Sequence, residues 1–342
     1  MKVLVVGGAG YIGSHMVLTL LEGGHEVIVL DDLSSGHEEA LLGGELIAGS
    51  LEDAELLDRL LDDRKPDAVM HFASYIQVGE SVAQPAKYYR NNFVNTINLL
   101  DAMVRHRVLR FIFSSTAAIF DESDEPITED HPKNPINPYG RSKWMVEQAL
   151  QDYDHAYALK SCCLRYFNAA GADPLARIGE RHDPETHLIP LLLQAASGRR
   201  DSIRVFGRDY PTPDGTCIRD YIHVVDLCSA HLLALNQLMG TATSTVYNLG
   251  NGEGFSVQQV IDAVRDVTGK SLTIVESERR PGDRARLVAD STKARARLGW
   301  RPRYADLREI VRHAWQWEQK LAGMESSRAG HEHLQSHIPT AS

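Results

Sequence analysis

Tyr139 and Lys143 stand four residues apart, within the stretch Asn137-Pro138-Tyr139-Gly140-Arg141-Ser142-Lys143. At helical spacing they share one face, one turn apart. An ammonium beside a phenol favours the phenolate and lowers a pKa whose unperturbed value is about 10. Tyr139 then becomes a base for a substrate hydroxyl. Taken alone, Y-x-x-x-K marks an ordinary surface helix more often than a site. What changes that reading here is the apolar run before it, Phe111-Ile112-Phe113, which ends in Ser114-Ser115-Thr116. If that run is a strand, its C-terminal end lies where open α/β sheets place ligands, and the Thr116 hydroxyl can donate or accept there. Ser115 and Thr116 can equally cap the segment that follows.

A second group sits at the N-terminus. Gly7-Gly8-Ala9-Gly10-Tyr11-Ile12-Gly13 follows the apolar run Val3–Val6 and precedes a helical pattern. This is the context a dinucleotide-binding loop requires: Gly7 for the tight turn, Gly10 for approach of the backbone to a pyrophosphate, Gly13 for close packing of helix on strand. The helix N-terminus offers free N–H groups and a positive dipole to phosphates. Asp31-Asp32 follow the loop by about twenty residues, where a carboxylate accepts hydrogen bonds from ribose hydroxyls and repels a 2′-phosphate. The loop therefore points to NAD rather than NADP, against the alternative of a ligand-free turn and two solvated acids.

These residues need a scaffold, and the first half of the chain supplies a pattern for one. Short apolar runs alternate with helical stretches, as in a parallel sheet covered on both faces. The expected strands are Val3–Val6, Glu26–Leu30, Leu46–Ala48, Ala68–His71, Arg110–Ser114 and Ser161–Tyr166. Helices are expected over Tyr11–Glu22, Ala54–Leu61, Gln84–Val104 and Tyr139–Tyr153. The reading is a Rossmann-type, doubly wound parallel α/β sheet over residues 1–171, with a smaller α/β C-terminal substrate domain over 172–322. The run Thr245–Gly250 again reads as a buried strand, so a return to the first sheet is expected around 220–250. Residues 325–342 are polar and are expected to form a disordered tail.

Composition narrows the function. The 342 residues carry a formal net charge of -10, which repels nucleic acid and anionic membranes, so ligand phosphates need local donors. The four cysteines, Cys162, Cys163, Cys217 and Cys228, show no C-x-x-C spacing and read as reduced thiols. No apolar run approaches the roughly 20 residues of a membrane span, and the N-terminus carries no signal peptide pattern, so the cytoplasm is expected. His15, His71 and His223 have no partners at ligand spacing, and no metal is expected.

The chain resembles the extended short-chain dehydrogenase/reductases, and within them the UDP-glucose 4-epimerases, from Met1 to about Trp317. The resemblance rests on Gly7–Gly13, His71-Phe72-Ala73, Val78–Val82, Asn91-Asn92, Ser114-Ser115-Thr116, Tyr139 to Lys143, Leu164-Arg165-Tyr166-Phe167-Asn168, Asp214-Gly215-Thr216, Arg219–His223 and Arg280-Pro281-Gly282-Asp283. It implies Thr116, Tyr139 and Lys143 as the catalytic group. Around the dinucleotide it implies Gly7, Gly10, Tyr11, Ile12, Gly13, Asp31, Asp32, Ser50, Leu51, Phe72, Ala73 and Asn91, with Tyr166 beside the nicotinamide and Tyr139 and Lys143 also in contact. Around a UDP-sugar it implies Thr116, Tyr139, Phe167, Asn168, His187, Leu188, Phe206, Arg219, Arg280, Asp283 and Leu287. A guanidinium suits a diphosphate because it offers two parallel donors.

The activity the resemblance implies is inversion at C4 of UDP-glucose and UDP-galactose through a transient 4-ketose, with NAD tightly held and restored each turnover, in a homodimer. A 4,6-dehydratase is opposed by Ala117-Ala118, where that reaction needs acidic residues after Thr116. Epimerases of UDP-N-acetylhexosamines, pentoses or uronates stay open, Leu287 leaving the N-acetyl question undecided. A non-catalytic NAD-binding regulator on the same fold would have no use for Tyr139 and Lys143. Two departures from the pattern stand out: Ile119-Phe120-Asp121 where Val-Tyr-Gly is usual, and Ser50 where an Asp usually meets the adenine.

Overall fold

The computed structural model describes residues 1–121, 123–280 and 283–335, with side chains up to residue 324. Seven parallel strands form the main sheet: β1 (Lys2–Val6), β2 (Glu26–Asp31), β3 (Glu45–Ala48), β4 (Ala68–His71), β5 (Arg110–Thr116), β6 (Lys160–Tyr166) and, after three short strands outside it, β10 (Thr245–Leu249). The three are β7 (Asn168–Ala170), β8 (Ile203–Phe206) and β9 (Ile218–His223), and they are followed later by β11 (Gly254–Ser256), β12 (Ile274–Ser277) and β13 (Arg286–Leu287). The spatial order of the main sheet is β10-β6-β5-β4-β1-β2-β3, so it reverses direction between β1 and β4. Ligands in such sheets bind at the carboxyl ends beside that reversal.

The helices are α1 (Tyr11–Glu22), α2 (Ala54–Arg64), α3 (Val78–Ala83), α4 (Pro85–Tyr88), α5 (Asn95–Arg105), α6 (Pro138–Tyr157), α7 (Leu188–Ser197), α8 (Val224–Thr241), α9 (Val257–Thr268), α10 (Thr292–Leu298) and α11 (Leu307–Gln335). One face of the sheet buries Val3, Val5, Met70 and Ile112 against Met16 and Leu20 of α1 and Leu227 and Leu235 of α8. The other buries Leu4, Val69, Phe111 and Phe113 against Leu57 of α2, Leu99 of α5 and Val146 of α6. Continuous burial on both faces explains why these strands read as unbroken apolar runs. A separate core joins α7, α9 and α11 through Leu192, Val260, Ile261 and Ile310. Beside it β9 pairs with β7, β11 and β13, while β8 pairs with β12.

The chain does come back to the large sheet after β9: α8 packs on α1, and β10 lies parallel to β6, Leu249 opposite Tyr166. Two expectations need correction. The single helix over Gln84–Val104 is broken, with a wider π turn over Tyr89–Val94 between α4 and α5. The turn carries Asn92 into the interior, where its amide accepts from Tyr75 N at 2.9 Å and donates to Tyr75 O at 3.0 Å. Such one-turn widenings often re-aim a side chain that the regular helix would misplace. Where a structureless tail from Glu325 is expected, the backbone of α11 stays helical to Gln335. Adding residues to an existing helix needs no new nucleus, so a polar sequence can extend it. Residues 336–342 lie outside the described part.

Candidate active site

The glycine loop is held by its backbone. Gly7 has φ 77°, and a Cβ there would lie 2.4 Å from Ala73 N at the end of β4. Gly7 thus closes the two strands that flank the reversal of the sheet. A Cβ on Gly13 would lie 2.0 Å from Gly7 O, so only glycine lets α1 start this close to β1. Gly10 is less confined, its nearest atom for an added Cβ being Gly7 O at 3.5 Å. No side chain caps α1 and no acidic residue stands in its first turn. The first-turn N–H groups of Tyr11, Ile12 and Gly13 therefore keep their capacity for an anion.

Asp31 is buried, and it accepts from Ala9 N of the loop at 2.8 Å and from Leu33 N at 2.9 Å. Burial raises its pKa, opposed by those two N–H groups. It thus fastens the loop to the end of β2 besides offering a carboxylate edge. Asp32 is exposed and accepts from Ser34 N at 2.9 Å. Phe72 N and Ala73 N both donate to Val6 O, at 2.7 and 3.2 Å. Leu51 is buried, while Ser50 Oγ accepts from Glu52 N at 3.2 Å in a local turn. Asn91 donates to Asn92 Oδ1 at 3.0 Å. The Tyr11 hydroxyl donates to Gly171 O at 2.7 Å, tying α1 to the chain beyond β7.

Thr116, Tyr139 and Lys143 come together near the ends of β5 and β6. Register places Thr116 opposite Tyr166, and the Tyr166 hydroxyl pairs with Ser114 Oγ. Asn137 caps α6 by accepting from Gly140 N at 2.8 Å. Gly140 lets the helix press on the turn after β5, since a Cβ there would lie 2.4 Å from Ala118 O. The Thr116 hydroxyl is near enough to the Tyr139 phenol to oppose the rise of its pKa. Lys143 is buried and donates to Ser74 Oγ at 2.6 Å and Ser114 O at 2.8 Å.

The electrostatics differ from the sequence expectation. Burial pushes the Lys143 ammonium down to about 7, against the opposing pull of Glu147. Burial likewise raises the Tyr139 pKa, with only the Thr116 hydrogen bond lowering it. The Lys143 donors go to Ser74 and the β5 backbone. The phenol is protonated at neutral pH until the surroundings change.

Beneath this group lies an ion pair absent from the sequence reading. Arg165 Nε donates to Glu147 Oε1 at 3.0 Å and Oε2 at 3.1 Å, and both side chains are almost fully buried. Glu147 also accepts from Ser115 Oγ at 2.5 Å, locking β5 to α6. Ser74 and Glu147 could have been found: one directly follows His71-Phe72-Ala73 at a strand end, the other stands one helical turn beyond Lys143. The exchange of partners could not, because it depends on register.

Opposite the catalytic group, segments distant in sequence converge. Phe167 and Leu287 pack against Ala117, Ile119, Phe120 and Ile127. Phe120 is fully buried, and its carbonyl accepts from Arg284 Nη1 at 2.7 Å. The departure Ile119-Phe120 is thus core rather than a ligand contact. Arg219 lies opposite Leu287 across β9 and β13, donates to Arg284 O at 2.8 Å and pairs with Asp283 at 3.2 Å. Arg280 stacks on Phe206 at 3.9 Å. Asn168 donates to Asp220 O at 2.9 Å. Asn168, His187, Leu188 and Tyr221 line a cavity of about 40 Å³. Pro281 and Gly282 lie outside the described residues.

A glycine loop at the reversal of a parallel sheet, with Thr116, Tyr139 and Lys143 at the neighbouring strand ends, defines a dinucleotide-dependent enzyme site of the extended short-chain dehydrogenase/reductase type. The chain matches the NAD dependent epimerase/dehydratase family over residues 3–250 and belongs to it. The UDP-glucose 4-epimerase of Halalkalibacterium halodurans is 51% identical over 321 residues, covering 94% of this chain and 96% of its own. The crystal structure of UDP-glucose 4-epimerase from Brucella ovis in complex with NAD has a TM-score of 0.90 at 47% identity, covering 93% of this chain and 98% of that one. That of Bifidobacterium longum UDP-glucose 4-epimerase in complex with NAD+ and UDP gives 0.88 at 37%, covering 94% and 98%. NAD fits the residues present: three glycines that admit no Cβ without crowding or leave the approach open, an uncapped helix start, and an acid at the end of β2.

Proposed function

We propose that this protein is a UDP-sugar C4 epimerase interconverting UDP-galactose and UDP-glucose. The observation that carries this reading is the meeting of Thr116, Tyr139 and Lys143 at the ends of β5 and β6, next to the turn on which Phe167 and Leu287 pack. When bound, NAD supplies a nicotinamide that takes the hydrogen from C4 of the sugar and returns it to the other face. Tyr139 holds the proton of O4, accepting it as the ketose forms and giving it back. Thr116 orients that phenol through its hydrogen bond, and Lys143, once charged beside it, favours the phenolate. Arg219 and Arg280, with Asn168 and Asp283, hold the UDP moiety while the hexose turns.

The lobe from residue 172 to 322 carries the nucleotide-sugar, the chain around 220–250 belonging with the cofactor lobe. A homodimer paired through the helices near 84–104 and 139–153 is part of the reading, supported by the exposed Val82 at 64% and Val94 at 48%. The four cysteines are free and buried, which suits a reducing cytoplasm. No helix among the described residues is long and apolar enough to cross a membrane.

The test is to incubate purified protein with UDP-galactose, with no NAD added, and to follow UDP-glucose. The wild type converts it, and Tyr139→Phe lowers kcat by about 10²–10⁴-fold with its fold and bound NAD intact. Absence of conversion by a wild type shown to carry NAD would overturn the glucose/galactose assignment.

A further inference from the structure

Away from the catalytic group, the segment between β7 and α7 gathers four metal-ligating side chains. Glu180, His182, Glu185 and His187 each offer one atom, and the four atoms lie within 4.8 Å of one another. The spacing E-x-H-x-x-E-x-H in one loop carries the signal, which His15, His71 and His223 taken singly do not. Glu180 and Glu185 side chains are 5% and 4% exposed, and two carboxylates sunk this far need compensating charge.

The distances describe a small cage. His182 Nδ1 stands 3.2 Å from Glu180 Oε1 and 3.6 Å from Glu185 Oε2, and His187 Nδ1 stands 3.7 Å from Glu185 Oε1. A tetrahedral ion with bonds of about 2.0–2.2 Å sets its ligand atoms about 3.3–3.6 Å apart. The pair that departs from this is His187 Nδ1 and Glu180 Oε1, which sit at 2.5 Å in a hydrogen bond and would have to part by roughly 1 Å. His182 Nδ1 is buried without a hydrogen bond of good geometry, although both carboxylates face it. Two nitrogens and two carboxylate oxygens thus lie round one small volume.

The cage is also braced from outside. Glu185 Oε1 accepts from Thr186 N at 2.7 Å and His187 N at 2.8 Å. Trp317 donates to Glu180 O at 2.9 Å, and the Tyr11 ring meets His182 edge-on at 6.3 Å. Supporting contacts of this kind orient ligands in metal sites.

We propose that Glu180, His182, Glu185 and His187 form a closed four-ligand site for a divalent ion of the zinc class. Two carboxylates and two neutral imidazoles offset a dication, and the mixed nitrogen and oxygen donors suit zinc better than calcium or magnesium. With four protein ligands the ion has no open position, so its role is structural. It fixes the loop that delivers His187 and Leu188 to the cavity beside Asn168, and holds that loop against Tyr11 at the start of α1.

The test begins with wild-type protein stripped by a chelator and titrated with ZnCl₂ in a calorimeter, with CoCl₂ followed by visible absorption in parallel. One equivalent of zinc binds more tightly than about 1 µM, and cobalt gives the intense visible bands of a tetrahedral site. His182→Ala and Glu185→Gln each weaken binding by at least the roughly 10- to 100-fold seen when mere supporting partners are lost. Because either variant can fail to fold, circular dichroism accompanies them, and the wild-type cobalt spectrum decides without them. No binding, a pale octahedral cobalt spectrum, or zinc retained unchanged by both folded variants would each overturn the proposal. The last result would assign the ion elsewhere, for example to His331, His333 and His337 near the C-terminus.

Discussion

The two ends of the site are built from different material. At the cofactor end the ligand-facing surface is backbone, the loop of Gly7 to Gly13 and the uncapped start of α1, and its demand on side chains is that there be none. At the end proposed to be catalytic the surface is side chains from β5, α6, β6, β9 and the stretch before β13, each fixed by partners far away in sequence. A backbone site is broken by adding one carbon atom. A side-chain site is broken by removing one partner and leaving the other unpaired. The difference explains why a short glycine motif reads clearly while the other half depends on the assembled sheet.

The comparison can be broken most forcefully beneath the catalytic group. Glu147→Gln leaves Arg165 buried without its counter-charge, and unfolding in urea should show a loss of about 3–5 kcal/mol. Replacing both, Glu147→Leu with Arg165→Met, should recover most of that loss, because what costs is the unpaired charge rather than the lost pair. Simple additivity of the two single effects would show that the pair does not couple β6 to α6.

Gly13→Ala sharpens the other side. Its new Cβ would lie 2.0 Å from Gly7 O, so α1 must move, and the expected cost is about 1–3 kcal/mol together with loss of bound NAD on gel filtration. Retention of a full complement of NAD would mean that the loop adapts and that the backbone reading is too strict.

The smallest effect is one of pH. Burial pushes Lys143 down to about 7 in the folded protein, against about 10.4 when unfolded. Between those values the unfolded chain binds the extra proton, so stability from this group rises with pH, and the penalty is largest below about 7. In Lys143→Met that slope disappears, so the stability gap between variant and wild type should be widest near neutrality and close towards pH 10. Parallel pH profiles for the two proteins would contradict the buried, weakened ammonium.

Much of the scaffold was legible in the sequence because buried parallel strands leave unbroken apolar runs: Ala68–His71 and Tyr11–Glu22 have the bounds read from the sequence. The helix break at Tyr89–Val94 was not, since nothing local marks it; it exists to deliver Asn92 to the Tyr75 backbone. The candidate site follows the same division. The Y-x-x-x-K spacing identifies Tyr139 and Lys143, but not that Lys143 spends its donors on Ser74 and Ser114, which strand packing decides. The Glu147–Arg165 pair and the Glu180 to His187 cluster are hidden from the sequence for opposite reasons: the first joins a helix to a strand 18 residues on, the second is local but looks like an ordinary polar loop.

The central claim is that the hydrogen taken from C4 of the sugar is the one returned to it. UDP-galactose carrying deuterium at C4 should give UDP-glucose with the label fully retained at C4, as read by mass spectrometry and proton NMR after several turnovers. Loss of the label to solvent, or its appearance from deuterated water into unlabelled substrate, would contradict the account.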